Sequence, residues 1–155
     1  MKCFRIKTSI VEEDERDTKG IRAKLNFGHT IGHALEAATE YQGYTHGEAI
    51  AIGMICASEI AERLGMVPQE ITLQIQKQFE RAGLPSTIEG TDVDTVFSFM
   101  RHDKKFVGVS NRFVLPNGKI GCSVLKDNIG ESLIGEIIQS HILPKSKKVT
   151  LLKRQ

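Results

Sequence analysis

Apolar positions recur at helical spacing along most of the chain and change to a period of two only once. From Lys2 to Asp17, Phe4, Ile6, Ile10 and Val11 form a stripe among charged residues, which predicts an amphipathic helix ending in an acidic cluster. Lys19-Gly20 breaks that run, and a second helix is predicted from Ile21 to Glu40. The third, His46 to Leu64, is apolar on nearly every side (Ala49, Ile52, Ile55, Ala57, Ile60), the mark of a helix buried within a core. Gly65 suits its C-terminal cap. Pro68 opens a fourth helix, to about Ala82, with Ile71, Ile75 and Phe79 on one stripe. Thr91 and Asp92 supply N-cap candidates for a short helix through Arg101. Arg112–Leu115 and Lys119–Leu125 then alternate on either side of Pro116-Asn117-Gly118, a hairpin signal. A last helix from Gly130 to His141 carries Leu133, Ile134, Ile137 and Ile138 inward and stops before Pro144. The fold class is therefore mainly α: a multi-helix domain with one small β-hairpin over residues 1–143, then a basic tail over 144–155. Strands do not alternate with helices and no G-x-G-x-x-G occurs, so a dinucleotide-binding fold is excluded.

The candidate chemistry is concentrated between Leu25 and Glu48. His29 and His33 stand one helical turn apart and share a face. His46 follows after a break at Gly43, and Thr45 and Glu48 flank it as a T-x-x-E capping box, so Thr45 is predicted as N-cap and His46 as the first helical residue. The positive end of a helix disfavours imidazolium and keeps such a ring neutral, the form a metal binds. Three histidines from two helices can make an open metal site or an acid–base cluster. A helical histidine pair also occurs without function, and no H-E-x-x-H glutamate is present. Gly28 and Gly32 each cost a helix about 1 kcal/mol relative to alanine. Their presence suggests that another backbone or a ligand comes close.

Composition narrows the class further. The 155 residues are 40% hydrophobic and 26% charged with a formal net charge of +2, and the basic residues are scattered until the last dozen positions, which gives no basis for nucleic-acid binding. No run reaches the roughly eighteen apolar residues of a membrane span. The first residues, MKCFRIKTSIVEEDE, lack the apolar core of a secretory signal. Cys3, Cys56 and Cys122 lie far apart without a C-x-x-C, which reads as reduced thiols in a cytoplasmic protein, with Cys56 a small core residue.

The run from Arg22 to Glu36, R-x-x-L-N-F-G-H-T-I-G-H-A-L-E, followed by H-G-E-A-I-A-I-G-M from His46, closely resembles the 3-dehydroquinate synthase family. The likeness extends from Lys7 through Asp103-Lys104-Lys105 to the hairpin near Gly118 and corresponds to the C-terminal half of that enzyme, with the N-terminal NAD-binding domain expected to be absent. The resemblance implies a phosphate-eliminating, carbocycle-forming lyase of the shikimate pathway, serving chorismate and aromatic amino acid biosynthesis. It converts 3-deoxy-D-arabino-heptulosonate 7-phosphate to 3-dehydroquinate and phosphate. It further implies a divalent metal (zinc or cobalt) held by His29 and His46 with a glutamate from the other half, and NAD bound mainly by that half. His33 then becomes not a ligand but an acid–base or phosphate-contacting group. Substrate-binding roles fall on Lys7, Arg22, Asn26 and one of Lys104 and Lys105, cationic and amide groups suited to a phosphorylated sugar acid. The family's D-E-x-E motif departs here to Asp14-Glu15-Arg16-Asp17 with Thr18-Lys19 before Gly20, so Asp17 is either the catalytic carboxylate or a solvated helix end. Expected partners are that substrate, the N-terminal half, and a second copy through the exposed face left by that half. The alternatives are a domain of a related sugar-phosphate cyclase and a non-catalytic helical fragment that packs on a partner chain.

Overall fold

A computed structural model describes residues 2–13, 22–102 and 111–144. Among them are six α-helices and one two-stranded antiparallel hairpin, the mainly α architecture that the periodicity predicts. The helices are α1 (Lys2–Glu13), α2 (His29–Ala38), α3 (His46–Arg63), α4 (Gln69–Arg81), α5 (Val93–His102) and α6 (Glu131–His141), and the strands are β1 (Arg112–Asn117) and β2 (Lys119–Asp127). None of the described helices is long and apolar enough to cross a membrane.

Helix α3 is the axis of the core. Its residues Ile52, Ile55, Cys56 and Ile60 are fully buried, and α2, α4, α6 and β1 all pack around it. Burial also pushes the Cys56 thiol up, with Glu59 adding to the effect, so this cysteine is an inert core residue. The end of α3 is closed as its sequence predicts. Gly65 takes φ 69°, and the Gly65 and Met66 amides donate to the carbonyls of Glu62 and Ala61 (2.9 and 2.8 Å), a Schellman closure. Asp92 Oδ1 accepts from the Thr95 amide at 2.9 Å and so caps α5.

Two expectations change. The predicted helix Ile21–Glu40 is interrupted: Arg22–Asn26 form a 3-10 helix, and α2 starts only at His29. The cause is Gly28, which sits at φ 80° and ψ −12°, a left-handed conformation no right-handed helix can contain. In the hairpin, Pro116 and Asn117 belong to β1, and the turn centres on Gly118 at φ 72° with a bulge between Pro116 and Asn117. The far end of the hairpin is closed by the Asn111 side chain, which accepts from the Ile129 amide (2.8 Å) and donates to the Ile129 carbonyl (2.7 Å). The end of the first predicted helix at Asp17 and the tail after Pro144 lie outside the described residues.

What sets the separation of α2 and α3 is glycine. A Cβ on Gly53 of α3 would collide with the Gly28 carbonyl oxygen and lie 2.8 Å from the Gly32 amide nitrogen. One on Gly28 would lie 2.6 Å from the Met54 nitrogen, and one on Gly32 3.0 Å from the Ala49 oxygen. The close backbone that Gly28 and Gly32 suggest is therefore α3 itself. Gly53→Ala should destabilise the fold by about 1–3 kcal/mol, the usual cost of overpacking. Gly47→Ala, on the same helix with open space around it, should be neutral or stabilising by up to about 1 kcal/mol. Chemical denaturation of the two variants tests the contrast.

Helix α6 is tied down at its last residue. His141 Nε2 lies 3.0 Å from Glu59 Oε1 and its Nδ1 lies 2.9 Å from the Ser86 carbonyl. The Ser86 carbonyl and an ionised Glu59 can only accept, so the arrangement favours the doubly protonated ring. Burial alone would pull its pKa down. The hydrogen bond and charge of Glu59, with the Ser86 carbonyl, outweigh that and raise it above the ordinary 6.5. A raised folded pKa gives stability that is full below 6.5 and lost as the pH climbs through the folded value. The wild type should therefore lose stability on going from mildly acidic to alkaline buffer. His141→Gln should be about 1–3 kcal/mol weaker at low pH and should lack that slope in denaturant titrations.

Candidate metal centre

The three histidines converge where α2 and the first turn of α3 meet. His29 opens α2, His33 follows one turn later, and His46 opens α3. Ring centroids are 5.1 Å apart for His29–His33, 5.6 Å for His29–His46 and 5.8 Å for His33–His46. One nitrogen from each ring lies within 4.8 Å of the others. Zinc–nitrogen bonds of about 2.0–2.1 Å in a tetrahedral site bring such nitrogens to roughly 3.3 Å. The exposed His33 and His46 rings would have to turn toward His29 to close that difference. A neutral imidazole donor set of this kind fits zinc or cobalt and is poorly suited to calcium or magnesium.

Two of the rings have defined outer contacts. His29 Nδ1 lies 3.2 Å from the Phe27 carbonyl, which can only accept, so the Nδ1 proton is on that side. His46 Nδ1 lies 3.1 and 3.2 Å from the two carboxylate oxygens of Glu36. His33 has no hydrogen-bond partner among the described residues. His46 owes its place to the predicted capping box. The Thr45 amide donates to Glu48 Oε2 at 2.8 Å, the Glu48 amide donates to the Thr45 hydroxyl at 3.4 Å, and the Thr45 contacts hold the Glu48 carboxyl below its usual range.

A cavity of about 500 Å³ opens beside the cluster, lined by Thr30, His33, Glu36, Tyr41, Phe99 and Met100. Tyr41 is 73% exposed at its rim, and both it and Glu40 hold positive φ (58° and 53°), a left-handed pair of non-glycine residues closing α2. The Tyr41 amide donates to the Glu36 carbonyl at 2.7 Å to make that closure.

The chain matches the family described as 3-dehydroquinate synthase C-terminal over residues 1–106. It belongs to that family. The 3-dehydroquinate synthase of Acetivibrio thermocellus is 41% identical over 135 residues, covering 87% of this chain and 37% of the relative. That of Streptococcus pneumoniae is 46% identical over 110 residues, covering 71% and 31%. The chain thus spans about a third of the length of these curated synthases, 37% of one and 31% of the other. Among solved structures, a 2-deoxy-scyllo-inosose synthase complexed with carbaglucose-6-phosphate, NAD+ and Co2+ superposes with a TM-score of 0.72 at 30% identity, over 90% of this chain and 39% of that one. ValA, a 2-epi-5-epi-valiolone synthase from Streptomyces hygroscopicus with NAD+ and Zn2+ bound, shares the fold at a TM-score of 0.70 and 20% identity, over 84% of this chain and 36% of that one.

Of the residues this family's motifs single out, His29, His33 and His46 come together. Lys7 is exposed on α1, and Arg22 and Asn26 lie on the 3-10 helix, which packs on α1 and the hairpin. They do not continue the face of α2, because Gly28 turns the chain between them and His29. Among the described residues, none of the three lines the cavity beside His33. Asp17, Lys104 and Lys105 lie outside the described residues. Glu36 and Tyr41 carry no role in the sequence reading. Glu36 is seven residues from His29 and three from His33, so a same-face signal existed. Its meeting with His46 depends on the approach of α3. Thr45→Ala should cost about 1 kcal/mol through loss of the cap, while Thr45→Ser should be nearly neutral, as read from urea unfolding midpoints.

Proposed function

We propose that this chain is the metal- and substrate-binding domain of a 3-dehydroquinate synthase, in which His29 and His46 hold a divalent ion and His33 exchanges protons with the bound substrate. The convergence of three ring nitrogens from two helices within 4.8 Å is the observation that carries the reading. The curated synthases at 41% and 46% identity support this substrate class over that of the inosose synthase at 30%. A zinc or cobalt ion there would act as a Lewis acid toward substrate hydroxyl oxygens. Lys7, Arg22, Asn26 and one of Lys104 and Lys105 bind the substrate carboxylate and phosphate through charge-assisted hydrogen bonds, and Asp17 serves as a second proton acceptor. His33 suits its role because no acceptor among the described residues fixes its ring and because it faces the cavity.

Nucleotide binding is assigned to the part of the synthase that has no counterpart in this sequence. The purified 155-residue chain is accordingly expected to bind zinc weakly and to show no turnover of 3-deoxy-D-arabino-heptulosonate 7-phosphate. Steady release of phosphate by the pure chain would contradict this. In calorimetric titrations with zinc, His46→Ala should abolish binding and His33→Ala should reduce it less. A larger loss from His33→Ala would reverse the two roles.

A further inference from the structure

Glu36 is not among the residues to which the family motifs give a role, yet its carboxylate meets the histidine cluster at His46. Its side chain is 12% exposed, whereas that of His46 is 59% exposed. The acid is thus held by packing, and the ring it meets is open to solvent. Both carboxylate oxygens lie at hydrogen-bond distance from the same nitrogen, His46 Nδ1, at 3.1 and 3.2 Å. An ionised carboxylate can only accept, so this contact puts the proton on Nδ1 and leaves the Nε2 lone pair for a ligand. The carboxylate also stands at the first residue of α3, where the positive end of the helix favours a negative charge.

An exposed imidazole without such a contact samples both tautomers and several rotamers. A ligating ring has to be deprotonated at the ligating nitrogen and held in orientation, and outer carboxylates commonly serve both needs. His29 receives the equivalent restraint from the Phe27 carbonyl. The cluster therefore contains two rings preset as Nδ1–H and a third, His33, with no acceptor among the described residues.

We propose that Glu36 is the positioning residue of this centre, fixing His46 as the Nδ1–H tautomer with Nε2 available to a divalent cation. This rests on the metal-binding reading above. The test uses the 15N-labelled full chain without metal, in buffer alkaline enough to keep imidazoles neutral. Long-range proton–nitrogen correlation reads each tautomer, and His46→Gln identifies the His46 signals. Wild-type His46 should carry its proton on Nδ1. Glu36→Ala should release it to a mixture of the two tautomers with Nε2–H substantially populated, while Glu36→Gln, whose amide oxygen still accepts, should keep it on Nδ1. Titration with zinc alone should show binding weakened about 10–100-fold in Glu36→Ala and less in Glu36→Gln, with circular dichroism checking the fold. An Nε2–H tautomer in the wild type overturns the proposal by itself, even if Glu36→Ala fails to fold. So does a Glu36→Ala protein with unchanged tautomer and zinc affinity. If the tautomers behave as expected but the wild type takes no zinc, Glu36 keeps its role and the metal reading fails.

Discussion

The centre depends on how closely two helices can approach. With Gly28, Gly32 and Gly53 at the crossing, backbone approaches backbone between α2 and α3, and the Ile50 and Met54 side chains lie against the glycines where a Cβ would otherwise stand. Helices packed through ordinary side chains stand about 8–10 Å apart. Removing the side chains at the crossing draws the start of α3 toward the face of α2 and so brings His46 to His29 and His33. The same contact explains why the chain takes a left-handed turn at Gly28 instead of continuing a single helix from the 3-10 segment. Three glycines thus act on the chemistry without touching it.

Around that contact the molecule divides into a rigid platform and an open site. The body of α3 is buried along nearly its whole length, and α6 is fastened to it through the His141–Glu59 pair. The histidines sit at the exposed end of this platform, where His33 and His46 are open to solvent and a cavity lies alongside. Backbone and carboxylate contacts from Phe27 and Glu36 give two of the rings a defined orientation despite that exposure. Such a combination accords with the function proposed above, in which groups from elsewhere in a longer enzyme complete the site; the chain spans 37% of the Acetivibrio thermocellus synthase.

Local chemistry made much of this legible in the sequence. Helical periodicity located the six helices, because a buried stripe must repeat every three to four residues whatever it packs against. The T-x-x-E box marked the start of α3 because both of its bonds close within four residues. The histidine pair on α2 and the third histidine after the break were visible for the same reason. The glycines announced a close approach but not its partner.

Tertiary structure decided what depends on residues far apart in sequence. Gly53 matters only because α3 crosses α2 at that residue, and the left-handed Gly28 is selected by the same crossing. Glu36 and His46 are ten residues apart, and Glu59 and His141 eighty-two, so no periodicity links either pair. A carboxylate placed by spacing has a face but not a partner. The partner is fixed when the backbones pack, since hydrogen bonds and tautomers respond to distances of a few tenths of an ångström, which sequence spacing alone does not specify.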